Sequence, residues 1–332
     1  MVSLMIQFDI AIVIPCFNGW KYMKRCLESL EQQQIKPAQI IIVDDCSTDD
    51  SYQNLLAYSQ DTSLPVEVYR NDINCGPAKS REKALRYVST EYVAFCDCDD
   101  WYEIDFVKSI YELVSKNDST VDLVIFSNYI CSKENSKQID STTHNLVDCR
   151  KEEILALYSM SLCRMVIRSE IIKRIPFPDL YHAEDGVVAT QIIADCNKIL
   201  IFDKPLYNYL TRYDSASTKP DYNTYLEFES AYRLITKSLA SKYPREIEFL
   251  GVKYICYGAV LNAFKCDVRR AEVISMIERF ERENPFWYKN RYCGALSPVK
   301  RLYIYGVRKR YWTLVSLLTK IHTRLVELKK GN

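Results

Sequence analysis

Residues 10–18, IAIVIPCFN, and 39–50, QIIIVDDCSTDD, decide the fold. Each begins as a continuously apolar, largely β-branched run and stops abruptly at polar residues. A strand buried on one face alternates apolar with polar; a run apolar at every position is buried on both faces, as parallel strands are between two layers of helix. A third run of this kind, YVAFC, ends at Cys96 and leads into Asp97-Cys98-Asp99-Asp100. Working outward, helical spacing covers Lys21–Gln34, with Tyr22, Cys26, Leu27 and Leu30 on one side, then Ser51–Ser59, Ala78–Val88 and Asp105–Ser115. Val66–Tyr69, Val121–Tyr129 and Ile199–Phe202 read as further strands, and residues 130–150 as a polar loop. Strands alternating with helices predict an α/β fold, a mostly parallel sheet flanked by helices. From about residue 221 the pattern is mostly helical.

In open parallel sheets, ligands bind beyond the carboxyl ends of the strands. Pro15–Asn18, Asp44–Asp50 and Asp97–Asp100 each follow a strand, so the three clusters are expected to share one cleft. Two carboxylates at Asp97 and Asp99 offer hard oxygen ligands suited to Mg²⁺ or Mn²⁺, which keeps water and completes its shell with substrate phosphates. An acidic surface turn would have the same composition. In the second cluster, Asp44 and Asp45 could accept hydrogen bonds from a base or ribose, while Ser47 or Asp49 could cap the helix that follows. Asn74-Cys75-Gly76-Pro77 makes a turn into a helix whose N-terminus can face an anion. Arg81, read as lying in the first turn of that helix, is on the wrong side of its dipole, which points to an anionic partner. Asp185, within Ala183-Glu184-Asp185-Gly186, opens another helical run; acids there suit the dipole, and also suit a base at the mouth of a cleft.

The bulk numbers are permissive. The chain has 332 residues, a net charge of +1 and 48% hydrophobic residues, enough for one large domain, or one domain plus a smaller helical partner, and with no global pull toward an acidic partner. Its 13 cysteines lack the compact spacing of a disulfide framework and read as reduced thiols in a cytoplasmic protein. Asp9 and Pro15 interrupt the apolar N-terminus, which has no basic leader, and no run of about 18 apolar residues suggests a membrane span. No G-x-G-x-x-G follows the first strand, which disfavours a dehydrogenase.

Taken in order, AIVIPCFN, IIIVDDCSTDD, NCGPAKSREKAL and YVAFCDCDDW resemble the blocks of the family 2 glycosyltransferases: P-x-[YF]-N, V-D-D-x-S-x-D, N-x-G-x-x-x-A-R and D-x-D-D. The likeness is close over residues 9–115 and looser over 160–215, where CRMVIRSEIIKRIPFP and PLYNYLTRYDSAST also resemble family segments. Ser80, where the family more often has Ala, is a small departure. The resemblance implies a GT-A fold and an inverting, metal-dependent transfer of a hexosyl or N-acetylhexosaminyl unit. The donor would be a nucleoside diphosphate sugar, most commonly a UDP-sugar, and the acceptor a saccharide or lipid-linked saccharide of a surface polysaccharide or capsule. It further implies that Pro15 and Asn18 border the nucleotide pocket and that Asp45, with Asp44, holds the base. Arg81 would lie near the phosphates or order the acidic cluster. Asp97 would face the donor and, with Asp99, hold Mn²⁺ or Mg²⁺, supported by Asp100. Asp185 would be the acceptor base, oriented by Glu184, with His182 as local structure or an acceptor contact.

This reading divides the chain into a catalytic domain over residues 1–215 and a helical region over 216–332. Within the first, 1–115 binds the nucleotide sugar and 116–215 the acceptor. Between 300 and 330, nine Lys or Arg stand against Glu327, interleaved with Tyr303, Tyr305, Tyr311 and Trp312. Such a tail either lies on an anionic membrane surface or packs on the catalytic domain; no motif accompanies it that would suggest nucleic acid. Competing readings are a degenerate sugar-nucleotide or glycan binder, and a nucleotidyltransferase, although PCFNGWKYMK lacks the Gly-rich phosphate loop the latter needs.

Overall fold

The computed structural model describes residues 7–117, 120–132, 137–140, 142–158, 161–212 and 222–331, with side chains to residue 326. Nine strands form one sheet: β1 (Gln7–Cys16), β2 (Lys36–Asp44), β3 (Val66–Arg70), β4 (Tyr92–Phe95), β5 (Trp101–Tyr102), β6 (Leu123–Cys131), β7 (Lys137–Asp140), β8 (Met165–Arg168) and β9 (Ile199–Leu210). Their order is β3-β2-β1-β4-β8-β6-β9-β5, with β7 on β6. The parallel pairing expected from the apolar runs holds across β3-β2-β1-β4, where α1 (Trp20–Glu31), α2 (Ser51–Asp61) and α3 (Gly76–Leu85) make the connections. Beyond β4 the sheet is mixed. β8 runs antiparallel to both β4 and β6, β6 and β9 are parallel, and β5 and β7 pair antiparallel with β9 and β6.

The register does the work that matters for the site. Pro15 lies beside Val43, Cys16 beside Asp44, and Val13 beside Phe95. The polar residues after β1, β2 and β4 therefore emerge along one edge. Ile10, Ile12, Ile14, Ile40, Ile42 and Phe95 are fully buried beneath them, so the strand ends rest on a core packed from both faces.

α4 (Phe106–Ser115), α5 (Lys151–Leu157), α6 (Ser169–Ile172) and α7 (Glu184–Asp195) complete the flanks. Residues 130–150 are only partly a loop, because β6 runs to Cys131 and pairs there with β7. Buried Arg164 fastens β7 by donating to Asn128 Oδ1 (3.0 Å) and Asp140 Oδ2 (3.1 Å).

α8 (Thr224–Leu239), α9 (Pro244–Gly251), a π-helical segment (Val252–Ala259), α10 (Val260–Lys265), α11 (Arg270–Glu283), α12 (Pro298–Lys309) and α13 (Trp312–Gly331) follow. The expected boundary near residue 215 lies outside the described residues. Pro244–Lys265 is long and apolar enough to cross a membrane, yet 72% of its apolar window is buried in the protein, so it serves as a core helix. At Gly258 a Cβ would stand 2.6 Å from the Phe228 ring, so only glycine lets α8 approach this closely. The C-terminal helices pack on the molecule through Tyr303, Val307 and Val315, and Arg310 pairs with Glu281 (2.6 Å). All thirteen cysteines are free thiols.

Candidate active site

A cleft of about 660 Å³ opens above the edge where β1, β2 and β4 end. Pro15, Asp45, Arg81, Asp97, Asp99, Glu184 and Asp185 all line it, although they come from five separate stretches of chain. The element that joins them is Arg81. α3 begins at Gly76, two residues before the expected Ala78, so Arg81 sits in the second helical turn rather than the first. Its side chain is buried, at 3% exposure, and crosses the floor of the cleft. One end donates to Asp97 Oδ1 (2.7 Å); the other donates to Asp185 Oδ1 (3.1 Å) and lies 3.4 Å from Glu184 Oε1. Burial opposes the guanidinium charge, but Asp185 and Asp97 more than offset it, and its pKa stays well above the usual value.

One guanidinium faces three carboxylates and cannot neutralise them all. Burial, then the charge of Asp185, pushes the Glu184 carboxyl up to about 8 against the pull of Arg81. Burial likewise raises Asp185, with Arg81 again opposing. A carboxylate raised toward neutrality is a stronger base than an ordinary one, which suits proton abstraction.

Asp99 lies deeper. Burial and the neighbouring Asp97 charge raise its pKa, while Arg212 lowers it. Arg212 Nη2 stands 2.6 Å from Asp99 Oδ2, with its guanidinium 4.0 Å from the Tyr22 ring centroid. Asp97 and Asp99 suit a hard divalent cation that takes the rest of its shell from water and phosphate. They are oxygen donors on one wall, and the repulsion that raises Asp99 is what such a cation relieves. No cluster of three or more His, Cys, Asp or Glu suited to a metal occurs among the described residues. Asp100 is buried behind the pair, accepting from the Tyr207 hydroxyl (2.6 Å) and the Leu210 N–H (2.7 Å). Burial, Asp99 and Asp97 raise its pKa well above the carboxylate range. It ties the acidic turn to β9.

The remaining expected residues are held by contacts within and between the loops. Asp45 is buried; Oδ1 accepts from Asn71 Nδ2 (2.7 Å) and the Cys75 N–H (3.0 Å), and Oδ2 from the Gly76 N–H (2.7 Å). It thus holds the turn into α3, where Gly76 takes φ +83°, a left-handed conformation that favours glycine. Asp44 is fully buried, accepts from the Ser47 N–H (3.1 Å) and pairs with Arg70 (3.3 Å), and does not line the cleft. Asn18, with φ +47°, bridges to the β2–α2 loop, its Oδ1 accepting from the Thr48 N–H (2.9 Å), beside Pro15, Cys16 and Phe17 on the cleft wall. Asp49 accepts from the Ser51 N–H (2.9 Å) at the start of α2.

The sequence reading missed Phe17, 45% exposed on the cleft, and left Tyr209 and Arg212 without a role. Phe17 had a readable signal, an aromatic residue directly after a strand that ends in Pro-Cys. Tyr209 lies on β9 and Arg212 two residues past its end, both more than a hundred residues from the acidic turn after β4.

The profile described as glycosyl transferase family 2 matches residues 11–175. The chain is 26% identical over 230 residues to a poly(ribitol-phosphate) β-N-acetylglucosaminyltransferase, TarS, of Staphylococcus aureus, covering 68% of the chain and 39% of that protein. It is 25% identical over 231 residues to glycosyltransferase GlyA of Streptococcus pneumoniae, covering 64% and 32%. The chain therefore spans well under half of either relative. A processive diacylglycerol β-glycosyltransferase of Mycoplasma genitalium is 24% identical over 70% of the chain and 72% of its own length. In fold, the chain matches S. aureus TarS 1–349 in complex with UDP-GlcNAc with a TM-score of 0.71 at 20% identity, over 95% of this chain and 91% of the other. A curled α/β sheet of the GT-A kind, an acidic pair at the end of β4 and a matching family profile over the segment that builds them lead to one assignment: the chain belongs to the family 2 glycosyltransferases.

Proposed function

We propose that the chain is an inverting glycosyltransferase that moves a sugar from a nucleoside diphosphate, UDP first among the candidates, to a hydroxyl of a saccharide or lipid-linked saccharide. The observation that carries the reading is the span of Arg81 from Asp97 (2.7 Å) to Asp185 (3.1 Å), which sets a donor-side carboxylate and a candidate base on opposite sides of one buried guanidinium.

Asp97 and Asp99 would hold Mn²⁺ or Mg²⁺, which supplies Lewis-acid neutralisation of charge on the departing diphosphate. Arg212, now on Asp99, is placed to share that diphosphate. Phe17 offers a face for the base. Asp185 accepts the proton of the attacking hydroxyl, and Glu184, its carboxyl raised toward neutrality by burial and by Asp185, supports it. Attack from the side opposite the leaving group inverts the anomeric centre. The activities of the relatives, an N-acetylglucosaminyl and a diacylglycerol β-glycosyl transfer, support a β-linked product in cell-surface glycan synthesis. In the same reading the chain works at the cytoplasmic face of a membrane. Exposed Leu317, Ile321 and Leu325 fall on one side of α13, among Lys320 and Arg324, which supports peripheral attachment.

The test is turnover of a panel of UDP-, GDP- and dTDP-sugars with Mn²⁺ and with chelator. Metal-dependent consumption of one donor supports the reading and names the sugar. Donor binding without turnover under every condition, lipid-linked acceptors included, points instead to a degenerate binder.

A further inference from the structure

Asp185 faces two spaces. One is the cleft; the other is a separate cavity of about 370 Å³ between the start of α7 and the C-terminal helices. Phe228, Tyr254, Tyr257, Leu261, Leu296 and Ile304 give it an apolar and aromatic wall. Its charged lining groups are Asp185 at the mouth and two lysines, Lys253 and Lys300.

The lysines are oddly placed for structural residues. Lys253 is partly buried on the π-helical segment, a winding that recurs at functional sites. Its ammonium donates to the backbone carbonyls of Tyr158 (2.8 Å) and Ala156 (3.3 Å), and pairs with no carboxylate among the described residues. An ammonium has three N–H donors, so one is left for the cavity. Lys300 lies with Nζ 5.1 Å from the Tyr257 ring centroid. Burial and the Lys300 charge push Lys253 down to about 7. Burial, then Lys265 and Lys300, lowers His322 as well. An ammonium in an apolar surrounding with no bonded carboxylate, as Lys253 is, destabilises the fold, and groups perturbed in this way cluster at functional sites.

We infer that this cavity is the acceptor subsite and takes a saccharide bearing an oxyanion, a phosphate or a carboxylate. The anion would sit between Lys253 and Lys300, the sugar ring against the aromatic wall, and the attacking hydroxyl at Asp185, where cavity and cleft meet. The inference rests on the transferase reading and narrows its acceptor to an anionic class. It adds no chemical step: the hydroxyl still loses its proton to Asp185 and the donor still loses its diphosphate.

The test compares three matched acceptors, a neutral saccharide, its phosphate monoester and its uronate, using the full chain and whichever donor turns over. The expected result is a kcat/KM at least about ten-fold higher for one anionic acceptor than for the neutral one, mainly through KM, as a charge-assisted contact provides. The better of the two anionic arms names the anion. Lys300→Gln, at an exposed position that tolerates change, should bring the ratio close to one, and Lys253→Met should do so if it folds. Equal kcat/KM for all three acceptors, or a ratio unchanged in Lys300→Gln, overturns the inference while leaving the transferase reading intact. Where no donor turns over, calorimetric titration with glucose 6-phosphate against glucose decides. Binding of the phosphate sugar that is lost in Lys300→Gln upholds the cavity as a site for anionic saccharides; no such binding overturns the inference, and the transferase reading is judged separately by donor turnover.

Discussion

The two spaces that meet at Asp185 are built in opposite ways. The cleft hangs from strand ends and is acidic, with its carboxylates braced: Asp45 by three N–H groups, Asp99 by Arg212, and Asp97, Glu184 and Asp185 around one buried arginine. The cavity is walled by helices and is mainly apolar, and its lysines have no acidic partner among the described residues. Braced acids describe a site shaped before its ligand arrives, as a fixed donor requires. Unpaired cations describe a site whose last partner comes with the ligand. One molecule thus separates what must be rigid from what must be filled.

The largest effect expected is on the bracing. Arg81→Met removes the one cation shared by three carboxylates, and breaking such a buried pair costs roughly 3–5 kcal/mol. Denaturant unfolding should show that loss, and a change below about 1 kcal/mol would mean that the carboxylates brace themselves. Asp99→Ala should keep its fold and lose about 10²–10³ in kcat, the scale of one group stabilising transition-state charge. Wild-type rates in that variant would remove Asp99 from the donor side. Phe17→Ala should weaken donor binding by about 1–3 kcal/mol if its ring stacks on the base, measured by calorimetry with the free nucleotide.

A further effect is one of pH. The Glu184 carboxyl, at about 8, lies above its usual 4.5, so the folded protein holds a proton that the unfolded chain has released across this window. Stability therefore falls as pH rises from about 4.5 to 8, and Glu184→Gln should flatten that fall. A slope identical in both proteins would place the shared proton elsewhere.

Legibility follows the same division. β1, β2 and β4 could be read because burial on both faces forces runs such as IAIVI, and the clusters after them could be expected at one edge because parallel strands share their direction. β5, with two residues, and β7, whose Lys137–Gln138–Ile139 backbone pairs at an exposed margin, carry no such pattern. Their place is set by β9 and β6. Asp97, Asp99, Arg81, Glu184 and Asp185 were visible as residue types at strand and helix ends. Asp45, Asp44 and Asn18 stand in the right loops, but their side chains turn to backbone N–H groups, because turns that hold three loops in register need acceptors of their own. Arg212 reaches Asp99 across 113 positions, and Lys253 and Lys300 line one cavity from separate helices, arrangements that only tertiary packing creates.

The account turns on Asp185, the residue common to both spaces. The direct measurement is the transfer rate of Asp185→Asn beside wild type, with donor affinity determined on the same preparations. A general base contributes about 10²–10⁴ in rate, so transfer should fall by that factor while donor binding stays within about two-fold, the carboxamide still reaching Arg81. Transfer at the wild-type rate would contradict the account, because the proton would then leave by a group that neither the cleft nor the cavity was built around.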